Sequence, residues 1–200
     1  MAAVALALYL VWVTWAFGWQ TIRQHRRTGD TGLRLAARPG TAQWWAKLGF
    51  IAAMALGLAA PIAALAGLDD IARFDRAWLH AIGIVVAVAG IALTDVAQRA
   101  MGAAWRIGVD PDEPTPFVTA GAFGIVRNPI FTAMLVTATG LTMIIPNIVS
   151  IIGLAVTIAA LELQVRLVEE PYLRELHGDR YREYSATVGR FVPHIGRTPR

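Results

Sequence analysis

Two stretches of this chain place reactive residue types directly beside apolar runs. The first is Gly121-Ala122-Phe123-Gly124-Ile125-Val126-Arg127-Asn128-Pro129-Ile130-Phe131. Its glycines and Asn-Pro pair turn the backbone tightly, Arg127 brings a permanent cation, and a long apolar segment follows. The second is Arg166-Leu167-Val168-Glu169-Glu170-Pro171-Tyr172-Leu173, where two adjacent carboxylates leave another apolar segment. Polar backbone and charge at the mouth of a membrane span cost desolvation energy unless they are buried in protein or line a cavity. Together the two stretches predict a polar site at a membrane surface.

Each stretch also has a plain structural role. Asn128 and Pro129 form a helix start, with Asn128 at the N-cap and Pro129 at the first helical position. That start presents free N–H groups, which suit an anion. Arg127 beside it either snorkels to headgroups or joins the site. On a helix Arg166 neighbours Glu169 and Glu170, an ordinary interfacial ion pair. Yet two acids at a helix end oppose the dipole, and Pro171 frees the Leu167 carbonyl. Acids, a free carbonyl and a basic partner suit a cationic ligand. Asp95 is a lesser candidate for the same cavity. His80 and His177 are expected at the interface, facing solvent, and are assigned no role.

The elements that must hold these residues are membrane spans. The chain has 200 residues, 56% of them hydrophobic, and is expected to form one domain over 1–200. It has no cysteine, which excludes disulfides, thiolate metal sites and cysteine catalysis. The four histidines show no metal-ligand spacing. The formal charge is +4, almost wholly from arginine, since Lys47 is the only lysine. With such apolar runs this basicity points to a membrane surface and not to nucleic acid.

Five segments approach the roughly 20 apolar residues that a span needs. They lie at about 2–19, 44–68, 78–94, 130–145 and 148–167, with a cap at 169–193. The expected fold is therefore an all-α membrane protein of five transmembrane helices. Its cofactor pocket, on the cytosolic side, would form from the loop before the fourth span and the C-terminal helices. Arginines recur in alternate connections, which places the N-terminus outside and the C-terminus in the cytosol, in a plasma (inner) membrane. The connection at 95–129 holds three prolines, so it cannot be a continuous helix, and its aromatic residues argue against disorder.

Several pieces then carry a family likeness by their order and spacing. They are Trp105-Arg106-Ile107-Gly108, Phe117 to Phe123, Val126 to Phe131, Glu169-Glu170-Pro171-Tyr172-Leu173, Gly178 to Tyr184 and Arg190-Phe191-Val192-Pro193. This set resembles the integral-membrane isoprenylcysteine carboxyl methyltransferase and phospholipid N-methyltransferase superfamily. The likeness covers roughly the C-terminal half; the first two spans show only hydrophobicity.

The resemblance implies S-adenosylmethionine as cofactor. It implies cofactor contacts from Thr115, Pro116, Phe117 and Val118, from Gly121 and Phe123, from Asn128, Pro129, Ile130 and Phe131, and from Glu169. Arg166 best matches an arginine near substrate in some members. The family's usual Arg-His-Pro is Arg127-Asn128-Pro129 here, and its usual tyrosines are Phe123 and Phe131. Asparagine replaces one imidazole hydrogen bond but cannot become charged near neutral pH.

The expected reaction is in-line methyl transfer to a lipophilic or amphiphilic acceptor bearing a carboxylate, thiol or amine. Glu169 and the faces of Phe123 and Phe131 would hold the cation. Arg127 or a helix N-terminus would meet the cofactor carboxylate, and Glu170 would be the base for an amine. The alternatives are an NADPH-dependent, sterol-reductase-like enzyme and a non-catalytic scaffold that binds anionic lipid.

Overall fold

The computed structural model describes residues 1–34, 36–108 and 116–198. Seven α-helices are described: α1 (Ala2–Val13), α2 (Gln20–Thr28), α3 (Ala42–Leu65), α4 (Ala77–Met101), α5 (Pro129–Ile144), α6 (Ile148–Gln164) and α7 (Glu170–Thr187). A π-helical stretch, Thr14–Trp19, joins α1 to α2, and another, Val165–Glu169, joins α6 to α7. Wider turns of this kind re-aim the side chains that follow them, and they are frequent at functional sites.

Local chemistry sets the helix ends. Gly29 closes α2 in a left-handed conformation at φ 76°. The Thr41 hydroxyl accepts from the Trp44 N–H to start α3, and the Asn147 side chain accepts from the Ser150 N–H to start α6. Gly178, at φ 52°, breaks α7 into two helical pieces.

Four helical stretches are long and apolar enough to cross a membrane: Ala2–Thr28, Ala42–Leu65, Ala77–Ala104 and Ile148–Thr187. The expected count of five is therefore corrected to four among the described residues. The segment at 130–145 forms α5, whose 16 residues reach only about 24 Å against a hydrocarbon thickness of about 30 Å. Pro129 opens α5, and Pro146 forces Ile145 out of helical geometry at its other end.

Shape complementarity between small residues holds α5 against α4. A Cβ added at Gly90 would run into Thr137, and one at Gly140 would run into the Ala87 backbone. Close backbone approach of this kind replaces the hydrophobic drive that lipid removes. One end of the bundle packs Ala5, Ala60, Ala87, Ile144 and Ile145 together. Towards the other end Tyr9, Trp12, Ala16, Met134 and Leu161 form a second cluster. Large apolar side chains on the outside, such as Ile51 and Val85, are more than 60% exposed. Such a belt is stable only against lipid, and the chain is an integral membrane protein.

Candidate functional site

Residues from both halves of the chain enclose a cavity of about 370 Å³ at the end of the bundle where α5 begins and α6 ends. The expected residues Pro116, Phe117, Val118, Phe123, Arg127, Asn128, Pro129, Ile130, Phe131, Glu169 and Glu170 all border it. Gly121 does not; it opens a short 3₁₀ turn, Gly121–Gly124, at φ 62°. Arg166 does not either: it is exposed on the far side of its helix, paired with Glu162. Thr115 lies outside the described residues.

The two adjacent acids part company. Successive helical side chains point about 100° apart, and the π turn sets both directions. Glu169 lines the cavity and accepts from Gln164 Nε2 at 3.2 Å. Glu170 is only 3% exposed and is enclosed by arginines. It accepts from Arg127 at 2.7 Å, from Arg190 at 2.7 and 3.0 Å, and from Arg174 at 3.3 Å.

Arg127 is the hub of a buried clamp. Its guanidinium donates to the carbonyls of Ser185 (3.0 Å), Val188 (2.7 Å) and Gly196 (3.0 Å) besides Glu170. Its backbone N–H donates to Gly189 at 2.8 Å. Asn128 continues the clamp. Its side chain does not cap α5; Nδ2 donates to the Arg190 carbonyl at 3.2 Å, and its backbone N–H reaches the same oxygen. Thr132 Oγ1 donates to the Phe191 carbonyl. The C-terminal strap at 189–198 is thus bound to the start of α5.

Helix α7 roofs the cavity. The Tyr184 hydroxyl donates to the Phe123 carbonyl at 2.6 Å. Phe117 stacks on His177 with centroids 4.6 Å apart and meets Tyr184 edge to face at 5.3 Å. Arg106 donates to the Tyr172 hydroxyl at 3.1 Å. His177 is half-buried behind Phe117.

Sequence reasoning missed the wall given by the first three helical stretches. Phe17, from the first π turn, and Ala46, Lys47, Phe50 and Ile51, from α3, border the cavity, as does Gln98 of α4. Lys47 Nζ donates to the carbonyls of Arg34 (3.1 Å) and Ala36 (2.8 Å), so it ties the loop before α3 to the cavity rim. A lone lysine inside an apolar helix is itself a functional signal, and that signal was available in the sequence. Two other expectations are corrected. Asp95 lies off the cavity wall, bonded to Trp15 and Arg99. His80 is buried at 7% exposure, between the Ile144 carbonyl (2.7 Å) and Asp75 (3.0 Å), so it does not face solvent.

The geometry matches known proteins. Over 120 residues the chain is 27% identical to protein-S-isoprenylcysteine O-methyltransferase B of Arabidopsis thaliana and 25% identical to its A form. Each alignment covers 59% of this chain and 61% of the relative, so the chain spans about three fifths of the curated relatives it matches. The fold is shared with a solved eukaryotic intramembrane Ras methyltransferase, the isoprenylcysteine carboxyl methyltransferase, at a TM-score of 0.62 and 18% identity. That superposition covers 96% of this chain and 66% of the other. Residues 78–180 match the phospholipid methyltransferase family. With more than half of its length inside that match, the chain belongs to the phospholipid methyltransferase family.

Proposed function

We propose that the chain is an S-adenosylmethionine-dependent methyltransferase that works at the membrane on a lipophilic or amphiphilic acceptor. The observation that carries this reading is Glu169: its carboxylate borders a cavity also lined by Phe117, Phe123 and Phe131, and among the described residues its hydrogen bond comes from the Gln164 amide, whereas the Glu170 carboxylate is taken up by arginines. An anion among π faces suits a sulfonium cation, and about 370 Å³ lies within the range of small-molecule sites. The residues present therefore fit this cofactor, which when bound supplies an electrophilic methyl group.

The chain's own residues do the rest. Glu169 offsets the positive charge, with Gln164 fixing its carboxyl. Phe123 and Phe131 offer ring faces in place of the family's tyrosines, and Pro116 to Val118 close one side under the α7 roof. Asn128 and Arg127 hold the start of α5 to the strap, which makes them positioning residues. Glu170 shares that role: with Arg127, Arg174 and Arg190 bonded to it, it has no lone pair poised for a proton. A carboxylate or thiolate acceptor needs no base, and exclusion of water and alignment then supply the rate.

Phe17, Phe50, Ile51 and Met134 make the other wall apolar, and Ile51 is also 62% exposed on the lipid-facing side. That placement supports entry of the acceptor from the bilayer. Arg23, Arg26, Arg27, Arg34, Arg38 and Lys47 collect at the cavity end, whereas Arg73 and Arg76 at the other end are offset by Asp69, Asp70 and Asp75. The excess of basic residues supports a cytosolic cavity end.

The test is calorimetric titration of the purified protein with S-adenosylmethionine and, separately, with NADPH. Saturable binding of the first, and methyl transfer from labelled donor into a membrane lipid extract, are expected. Binding of NADPH alone would replace this reading with the reductase one.

A further inference from the structure

Away from the cavity, on the outer face of α2 and α4, one carboxylate is shared by too many donors. Asp95 Oδ1 accepts from Trp15 Nε1 at 3.1 Å, and Asp95 Oδ2 pairs with Arg99 Nε at 2.7 Å. Arg23 reaches the same carboxylate only at 3.9 Å. The Arg23 side chain is 17% exposed, and its Nε and Nη2 have no hydrogen-bond partner among the described residues. The charges of Arg27 and Arg99 bear on it as well. Two guanidinium groups, of Arg23 and Arg99, therefore reach a single carboxylate, with the charge of Arg27 one helical turn beyond Arg23, an excess of two positive charges over the cluster. Buried donors left without partners indicate a missing acceptor.

The depth of this cluster identifies the acceptor's chemistry. Trp15 and Trp19 stack with centroids 6.0 Å apart, and both are about two-fifths exposed. Exposed indoles at the end of a span sit at headgroup level. The anion abundant at that level is phosphate, whose oxygens match the guanidinium fork. We propose that Arg23, Arg27 and Arg99 form a binding site for the phosphate of an anionic phospholipid headgroup. Trp15 marks its depth, and Asp95 holds Arg99 and the indole in place. None of these residues borders the cavity, so the site stands apart from the proposed methyl transfer.

The experiment uses the full chain in neutral detergent. Retention of phosphatidylglycerol and of phosphatidylcholine is measured by native mass spectrometry for the parent protein and for R23Q, R99Q and R26Q. Arg26 is exposed beside the cluster but outside it, so R26Q removes the same charge without touching the site. The site requires preferential retention of phosphatidylglycerol. R23Q and R99Q should each weaken it about fivefold, the share of one interfacial arginine, while R26Q does much less. Equal losses in R23Q and R26Q would show only a general basic field and overturn the site. Displacement of the lipid by inorganic phosphate at equal concentration would overturn the headgroup assignment in favour of a soluble phosphate. R99Q keeps the test decisive if R23Q fails to fold, because Arg99 is 62% exposed.

Discussion

Glu169 and Glu170 are neighbours in the chain, yet they belong to two regions with opposite physics. Around Glu170, three arginines, a strap and two helices close into a clamp that leaves its side chain 4% exposed. Around Glu169 there is one amide, a nearby guanidinium and open cavity. The clamp pairs its charges internally, whereas the Glu169 carboxylate borders the cavity. Under the proposed function the same side chain thus serves structure in one place and recognition in the other, and the difference comes from what surrounds it.

The clamp should show the largest effect when broken. Replacing Arg127 with Met leaves Glu170 buried with fewer partners and releases the carbonyls of Ser185, Val188 and Gly196. Breaking such a buried pair costs about 3–5 kcal/mol. Thermal unfolding in micelles should show that loss together with early proteolysis of the strap at 189–198. An unchanged transition would mean that the clamp is not structural.

Glu169→Gln addresses the other region. It keeps the size and the Gln164 contact but removes the charge, so S-adenosylmethionine affinity should fall about tenfold or more, with little change in thermal stability. Calorimetry and unfolding on one preparation measure both. Loss of stability with intact affinity would reverse the roles assigned to the two acids.

The smallest effect belongs to Arg166→Gln. Its pair with Glu162 is exposed, worth about 1 kcal/mol at most, and it lies off the cavity wall. Cofactor affinity and turnover should both stay at the parent level. A large loss of turnover alone would bring Arg166 back to the substrate side, where the family likeness had placed it.

Much of this site is legible in the residues themselves. Glycines and prolines at 121–129 mark the turn into α5, Gly178 marks the break in the roof, and the ordered motifs mark the family. The span count misleads because apolar character runs unbroken through 130–145 while the helix there is only 16 residues long. The N-terminal wall escapes notice because Phe17, Ala46 and Phe50 carry no polar signal; only Lys47 does.

Residue order alone dictates the helical membrane class, the places where helices begin and end, and membership of the family. Those follow from runs of apolar residues, from proline and glycine geometry, and from motif spacing, all of which are local. Which of two adjacent acids faces the cavity is settled in three dimensions. The partners that neutralise Glu170 lie 43 and 20 residues away along the chain, at Arg127 and Arg190. Electrostatics and burial act through space, so no reading of neighbours in sequence could separate Glu169 from Glu170.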